Sequence, residues 1–415
     1  MKLLWIVSSI KLLPEASQLY NGKNAEIKET GGWITASARS LVEDDDIELS
    51  IATVFSEVRE IKKLQGNRIT YYLIPAKTEG CWSKVIQLSN PDVIHIHGTE
   101  NHDVILDFLS EYGSEKVVVS MQGVRNAIKN YAYSGIGFWD RLLNTTIRDV
   151  LRHDMMISSV KLMQRAEKES MVLSKVNYII GRTISDRSYT WSINPQAEYF
   201  FCNETLREEF YSGRWSYESC IPHTIFLSQA YRPLKGLHLL LKALPIVLNR
   251  FPNTKVRVAG EDFVNKKRIK MTGYGKYIKK EIDRLKLKEV IDFLGPLNAA
   301  LMKQEYLKSN LFISPSTIEN SPNSLCEAQM LGVPCLASFV GGVPNMIPNS
   351  QCGEMYRFDE TEVLAYQICN IFEKSSLFDN TTMCQMAHQR HDPQENVRQL
   401  KNIYGAIYDN HNQYI

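Results

Sequence analysis

No apolar run in this 415-residue chain approaches the roughly 20 residues that a bilayer-spanning helix needs. That predicts a soluble or peripheral protein. No cleavable leader is recognisable at the start, and the 8 cysteines (positions 81, 202, 220, 326, 335, 352, 369 and 384) form no C-x-x-C pair. Structural zinc is therefore not expected, and the thiols read as reduced, as in a cytoplasmic protein. Charge of one sign is also lacking: 48 Lys and Arg against 46 Asp and Glu leave +2, too little for nucleic acid to be the main partner. Internal repeats, low-complexity tracts and disordered linkers are absent from the sequence, so nearly all of it should fold. It is too long for one ordinary core, and two domains are expected.

What is present is an alternation of short apolar runs and helical stretches. Strands are expected at 3–9 ("LLWIVSS"), 48–54, 69–74, 92–97 ("DVIHIH"), 116–121 and 176–181, most of them separated by helical pattern. Near-continuous apolar runs of this kind suit parallel sheets buried on both faces. The second half repeats the theme, with strands near 224–230, 255–260, 290–294, 311–314 and 334–338 and helices near 237–250, 276–287 and 298–308. The reading is α/β, with two Rossmann-like domains at 1–210 and 223–393 whose sheet ends face across a cleft. A terminal helix over 394–412 is expected to pack back on the first domain.

The stretch "STIENSPNSLCEAQMLGVPCLAS", residues 316–338, holds the most specific chemistry. Leu311 to Ser314 reads as a buried strand, Ser321 as a helix cap with Pro322 at the first helical position, Gly332 as the stop, and Val333 to Ser338 as the next strand. Such a βαβ unit directs the unpaired N–H groups of the helix start into a loop at the strand's carboxyl end, a place that favours an anion. Glu319 lies in that loop and Glu327 inside the helix. Two carboxylates flanking an anion site suit a ligand with phosphates in the middle and sugar-like hydroxyls on both sides. On spacing alone, Glu327 can also be a solvated first-turn acid favoured by the helix dipole.

Other positions carry weaker signals. Lys235, before Gly236, can place an ammonium on a diphosphate as a point charge. Gly31 and Gly32 let backbone approach a ligand closely. His95 and His97 alternate along one strand and share a face, with His97 nearer the strand end; His97 is the acceptor-site candidate. Arg182 and Thr183, and Asn203 with Glu204, end further strands and are candidates for the cleft. "EDDD" (43–46) reads as a solvated turn, and the basic run 266–288 as an amphipathic helix with a charged outer face. Residues 131–154 interleave Phe138, Trp139, Leu142, Leu143, Ile147, Val150 and Leu151 with Arg141, Arg148 and Arg152. That pattern suits a helix lying at a membrane surface, and equally a helix packed on the first domain.

Together, "PSTIENSPNSLCEAQMLGVP" with its E-x7-E, "FLGPL", "VGGVP", "GRT", "CNETLREEFY" and "SQAYRPLKGLHLLLKAL" resemble the retaining glycosyltransferases of family 4, in particular a bacterial subset that builds capsular, exopolysaccharide and related surface glycans. The resemblance implies the GT-B fold and transfer of a sugar from a nucleotide-diphosphate sugar, of UDP or GDP type, to a hydroxyl of a lipid-linked glycan. By it, Glu319 would contact the donor sugar and Glu327 the ribose, while the backbone around Asn320, Ser321, Asn323, Ser324 and Leu325 would meet sugar and diphosphate. Lys235 would take up leaving-group charge. The family pattern has an arginine five residues before that lysine, where this chain has Ala230; Arg232 is the substitute expected. Gln122 stands where relatives carry a histidine, which fits retention, because the departing phosphate oxygen then takes the acceptor proton. No organic cofactor and no metal are implied, nor is a nucleic-acid partner. The expected setting is cytoplasmic, at the inner face of the cell membrane, with weak peripheral contact. The rivals are a nucleotide-sugar epimerase of the same fold and an inactive glycan-binding relative.

Overall fold

The computed structural model describes residues 1–22, 32–77, 80–152 and 159–412; Gly31 and the last two residues of the 131–154 stretch lie outside them. Contacts divide the chain into two units, Met1–Asn126 with Arg165–Arg207 and His391–Ile415, and Ala127–Gln164 with Glu208–Arg390. The sequence reading kept 127–164 with the first domain, whereas its contacts group it with the second unit.

The first unit is built on β1 (Lys2–Val7), β2 (Glu48–Val54), β3 (Lys62–Gln65), β4 (Ile69–Ile74), β5 (Val93–His97), β6 (Val117–Ser120), β7 (Tyr178–Gly181) and β8 (Glu198–Phe201). Their order is β3-β4-β2-β1-β5-β6-β7-β8, parallel throughout except for β3, which runs antiparallel to β4. The central strands are apolar and buried along nearly their whole length, as expected where helices cover both faces. β3 and β8 have no counterpart in the sequence reading. The terminal helix Pro393–Asn412 belongs to this unit, and its Tyr404 is fully buried. The Tyr404 hydroxyl accepts a hydrogen bond from Trp5 Nε1 at 3.0 Å.

The second unit has β9 (Ile221–Leu227), β10 (Lys255–Ala259), β11 (Ile291–Gly295), β12 (Ser309–Ser314), β13 (Cys335–Ser338) and β14 (Glu354–Tyr356). Their order is β11-β10-β9-β12-β13-β14, all parallel. The three-residue β14 was not foreseen. The helices Leu237–Arg250, Gly273–Arg284 and Ala299–Lys308 fall close to expectation, and Asn298 caps the last through its side chain.

In each sheet the chain first lays strands outward on one side and then returns to the other. The reversal falls between β1 and β5 in the first unit and between β9 and β12 in the second. At such a switch point the loops leaving adjacent strands part to opposite faces of the sheet and leave a crevice at the carboxyl ends. Lys235 follows β9 and Glu319 follows β12; His97 ends β5.

Candidate functional site

In the second unit, β12 is buried at every position and feeds a loop, 315–322, that leads into the helix Asn323–Leu331. The helix begins one residue later than the sequence suggested. Pro322, not Ser321, occupies the cap position, and its side chain makes no capping hydrogen bond. Gly332 ends it with φ of 77°, as predicted from glycine's tolerance of left-handed backbone.

Glu319 and Lys235, 84 residues apart, form an ion pair with Nζ 2.5 Å from Oε1. Ser316 Oγ donates to the same oxygen at 2.7 Å. Both partners remain part exposed, with 29% of the lysine side chain and 15% of the glutamate side chain accessible, so each is held but reachable. The loop is anchored to the Lys235 turn by Thr317 N–H donating to Leu234 O at 2.9 Å. Two glycines make these approaches possible. At Gly236, with φ of 72°, a Cβ would sit 1.7 Å from Pro315 O; at Gly341, with φ of 51°, it would sit 1.9 Å from Glu319 O. Gly342 N–H donates to that carbonyl at 3.0 Å. The "VGGVP" segment therefore fixes the backbone of Glu319, a role invisible in the sequence alone.

Glu327 is not a solvated acid: it is 4% exposed, on the inner face of a helix buried on most sides. The Tyr306 hydroxyl lies 3.5 Å from Glu327 Oε2 and donates to Ser324 O at 2.8 Å. Tyr306 was missed by sequence reasoning, because a tyrosine in a helix over 299–308 gives no local sign of the neighbour it meets. Asn320 and Leu325 are buried, while Ser321, Asn323 and Ser324 are half-buried around the helix start. Ala230 is core, 1% exposed. Arg232 is exposed and lies over the Tyr231 ring at 5.2 Å.

The first unit gathers a different set. His95 and His97 do share a face, with ring centroids 3.8 Å apart. The Tyr404 hydroxyl, which accepts from Trp5, also hydrogen-bonds His95 Nδ1 at 2.6 Å. His95 Nε2 hydrogen-bonds Ser120 Oγ. Burial, and next the neighbouring His97, hold the His95 pKa well below the usual histidine value. Burial lowers that of His97 to about 3, so both rings are neutral at ordinary pH. Among the described residues, neither His97 nitrogen has a hydrogen-bond partner.

Arg182 pairs with Glu204, donates to Met121 O at 2.9 Å and approaches Gln122 Oε1 at 3.4 Å. Gln122 Nε2 in turn donates to Glu204 at 2.6 Å. Thr183 does local work: it caps the helix Ile184–Ile193 in a reciprocal capping box with Asp186. His97, Arg182, Asn203, Glu204 and Asn396 line one cavity of about 490 Å³, counting its open mouth. Gly32 starts the helix Gly32–Leu41 and leaves room for Arg207, whose Cγ would be 2.7 Å from a Cβ there. Glu169, missed by the sequence reading, is fully buried. Burial pushes its carboxyl above the ordinary range; it accepts from Thr99 Oγ1 at 2.7 Å and Asn126 N–H at 3.1 Å. It thereby fixes the loop after β5. The "EDDD" turn is at the surface, with Asp44 on Lys401 and Asp45 on Arg68.

Comparison with known proteins follows this geometry. The family model described as "Glycosyl transferases group 1" matches residues 222–389. The sulfoquinovosyl transferase SQD2 of Arabidopsis thaliana is 23% identical over 206 residues, 48% of this chain and 36% of that protein. The chain thus spans about a third of the length of that curated relative. The sucrose-phosphate synthase of Thermosynechococcus elongatus superposes with a TM-score of 0.69 at 12% identity, covering 99% of this chain and 100% of the other. Anabaena HepE in complex with UDP superposes with a TM-score of 0.64 at 14% identity, covering 98% of this chain and 100% of the other. The chain has the two-domain GT-B fold, and its residues 222–389 match the group 1 glycosyl transferases.

Proposed function

We propose that the protein is a retaining glycosyltransferase of family 4 that moves a sugar from a nucleotide-diphosphate donor to a hydroxyl of a lipid-linked glycan, in the synthesis of a capsular, exopolysaccharide or related surface glycan. The observation that carries this reading is the meeting of Lys235, Glu319 and the start of the helix Asn323–Leu331 at the β9/β12 switch point. A diphosphate set on that helix end is met by backbone N–H groups and by the Lys235 ammonium, which it takes from Glu319. The carboxylate then accepts hydrogen bonds from the donor sugar. As the bond to the anomeric carbon breaks, negative charge grows on the β-phosphate oxygen. A fixed ammonium beside it stabilises the transition state more than the bound donor. Glu327, buried in the first turns of that helix, suits ribose hydroxyls in this reading. The match of 222–389 to group 1 glycosyl transferases, and the UDP named in the HepE complex, support a nucleotide-sugar donor.

The neutral imidazoles of the first-unit cavity, whose Arg182 and Glu204 pair with each other, suit hydroxyls of an acceptor, with His97 as the candidate partner. Gln122 cannot titrate, so in this reading the departing phosphate oxygen receives the acceptor's proton. The lipid-linked acceptor implies work at the inner face of the cell membrane.

The test is release of nucleoside diphosphate from a panel of nucleotide sugars, with and without glycan acceptors. Release that depends on acceptor and disappears in Glu319→Ala supports transfer. Conversion of the donor without acceptor would make the protein an epimerase, and donor binding with no turnover on any acceptor would leave a binding protein.

A further inference from the structure

The helices Phe138–Asn144 and Ile147–Arg152 are built inside out. Phe138, Trp139, Leu142 and Leu143 on the first, and Ile147, Val150 and Leu151 on the second, are each between 52% and 80% exposed. Two of their polar residues, Asn144 and Asp149, are buried instead. Asn144 is 1% exposed and donates to Asp140 O at 2.7 Å; Arg141 lies 3.5 Å from the Tyr133 ring centroid. Asp149, fully buried, accepts from Thr146 N–H at 2.7 Å and from Gly273 N–H at 3.1 Å. Of these bonds, the one from Gly273 N–H to Asp149 ties the second helix to the start of the helix Gly273–Arg284. In water the apolar face of an amphipathic helix is the one that gets buried. Here the buried Asp149 and its bond to Gly273 go against that tendency, and seven large apolar side chains within residues 138–151 stay exposed, more than the scattered exposed hydrophobics of an ordinary surface.

The same helices meet a rim of cations. Arg148 donates to Lys270 O, Lys276 to Leu143 O at 2.9 Å and Lys161 to Arg152 O at 2.7 Å. Each spends donors on a backbone carbonyl and so keeps its full positive charge. Arg152, Lys270 and Lys276 are exposed, and Ile269, next to Lys270, is 90% exposed. Of the acids on the two helices, Asp149 is buried and Asp140 half-buried. The basic run at 266–288 and the aromatic-arginine stretch at 131–154, separate in the sequence, thus form one surface within the second unit.

We infer that this surface docks on an anionic lipid bilayer, with the aromatic and aliphatic side chains entering the interface and the Arg and Lys rim meeting lipid headgroups. Charge decides between a bilayer and a second copy of the chain: two such faces would bring cations against cations, whereas an anionic leaflet complements them. The platform is also fixed to the candidate donor loop. His238 Nε2 lies 2.8 Å from Ser134 O, and Thr317 Oγ1 donates to Ser134 Oγ at 3.1 Å. Docking would therefore hold the loop that carries Glu319 at a set distance from the membrane.

The experiment is flotation of the full chain with phosphatidylcholine vesicles, with and without phosphatidylglycerol, followed by the triple variant Trp139→Ser, Leu143→Ser, Leu151→Ser. Binding to anionic vesicles that weakens at high salt is expected, and the variant should lower the partition coefficient on the order of a hundredfold. All three residues are exposed, so the melting temperature should be unchanged, which separates lost binding from lost folding. No binding to anionic vesicles, or equal binding by the variant, would overturn the inference. So would concentration-dependent dimers that the variant abolishes. None of these outcomes depends on transfer activity, which a water-soluble acceptor reports independently.

Discussion

The two switch points handle charge in opposite ways. In the second unit an ammonium and a carboxylate meet at 2.5 Å while both stay partly open to solvent, a pair that an incoming charged group can divide. In the first unit the corresponding place holds neutral imidazoles, and Arg182 and Glu204 consume each other's charge. A site for a diphosphate needs charge that can be redirected. A site for hydroxyls needs only directional donors and acceptors, which neutral rings supply at lower desolvation cost.

The largest test of this contrast is Lys235→Ala. Loss of a cation on developing phosphate charge should lower kcat by about 10²–10³-fold, with little change in thermal stability. An unchanged rate would remove the charged half of the contrast. Gly341→Ala comes next: left-handed backbone and a Cβ at 1.9 Å from Glu319 O should destabilise the second unit by roughly 1–3 kcal/mol. Activity should fall further than that loss explains, since Glu319 must move; parallel melting and rate measurements separate the two.

For the neutral half, pH is the probe. His97 is held at about 3 when folded and returns to about 6.5 on unfolding, so the unfolded state binds more protons in acid. This contribution is complete above the unfolded value and is lost as pH falls towards about 3. Between pH 7 and pH 5 it amounts to about 2 kcal/mol, and urea unfolding of His97→Gln should show a correspondingly flatter pH profile. An identical profile would mean that His97 is not held neutral. The smallest effect expected is for Glu327→Gln. Exchanging a charged acceptor of ribose hydroxyls for an amide should weaken donor binding about tenfold, measured calorimetrically, with kcat nearly unchanged.

How much of this was legible in the sequence depended on whether a feature is local. The continuous apolar runs of β1, β5 and β12, the stop at Gly332 and the spacing of Glu319 and Glu327 are local, and they are where the sequence placed them, save that the helix starts at Asn323. β3, β8 and β14 were not: all three are edge strands, β3 is polar, and β8 and β14, of four and three residues, are too short to stand out as apolar runs. Tyr306, Glu169 and Gly341 act through neighbours distant in sequence and offer no local signal. The grouping of 127–164 with the second unit was likewise hidden, because it depends on Asp149 meeting Gly273 and His238 meeting Ser134. The stretch gave both a membrane face and core packing as readings, and only tertiary contacts show its apolar side exposed.

Tyr404 has a consequence for the order of events during synthesis. Its hydroxyl completes hydrogen bonds to Trp5 and His95, so the interior around β1 and β5 stays unfinished until residue 404 has left the ribosome. Every segment of the second unit has been translated by then. The half of the chain made first should therefore be the later one to reach its final packing, and its exposed strands are the part most in need of a chaperone while they wait.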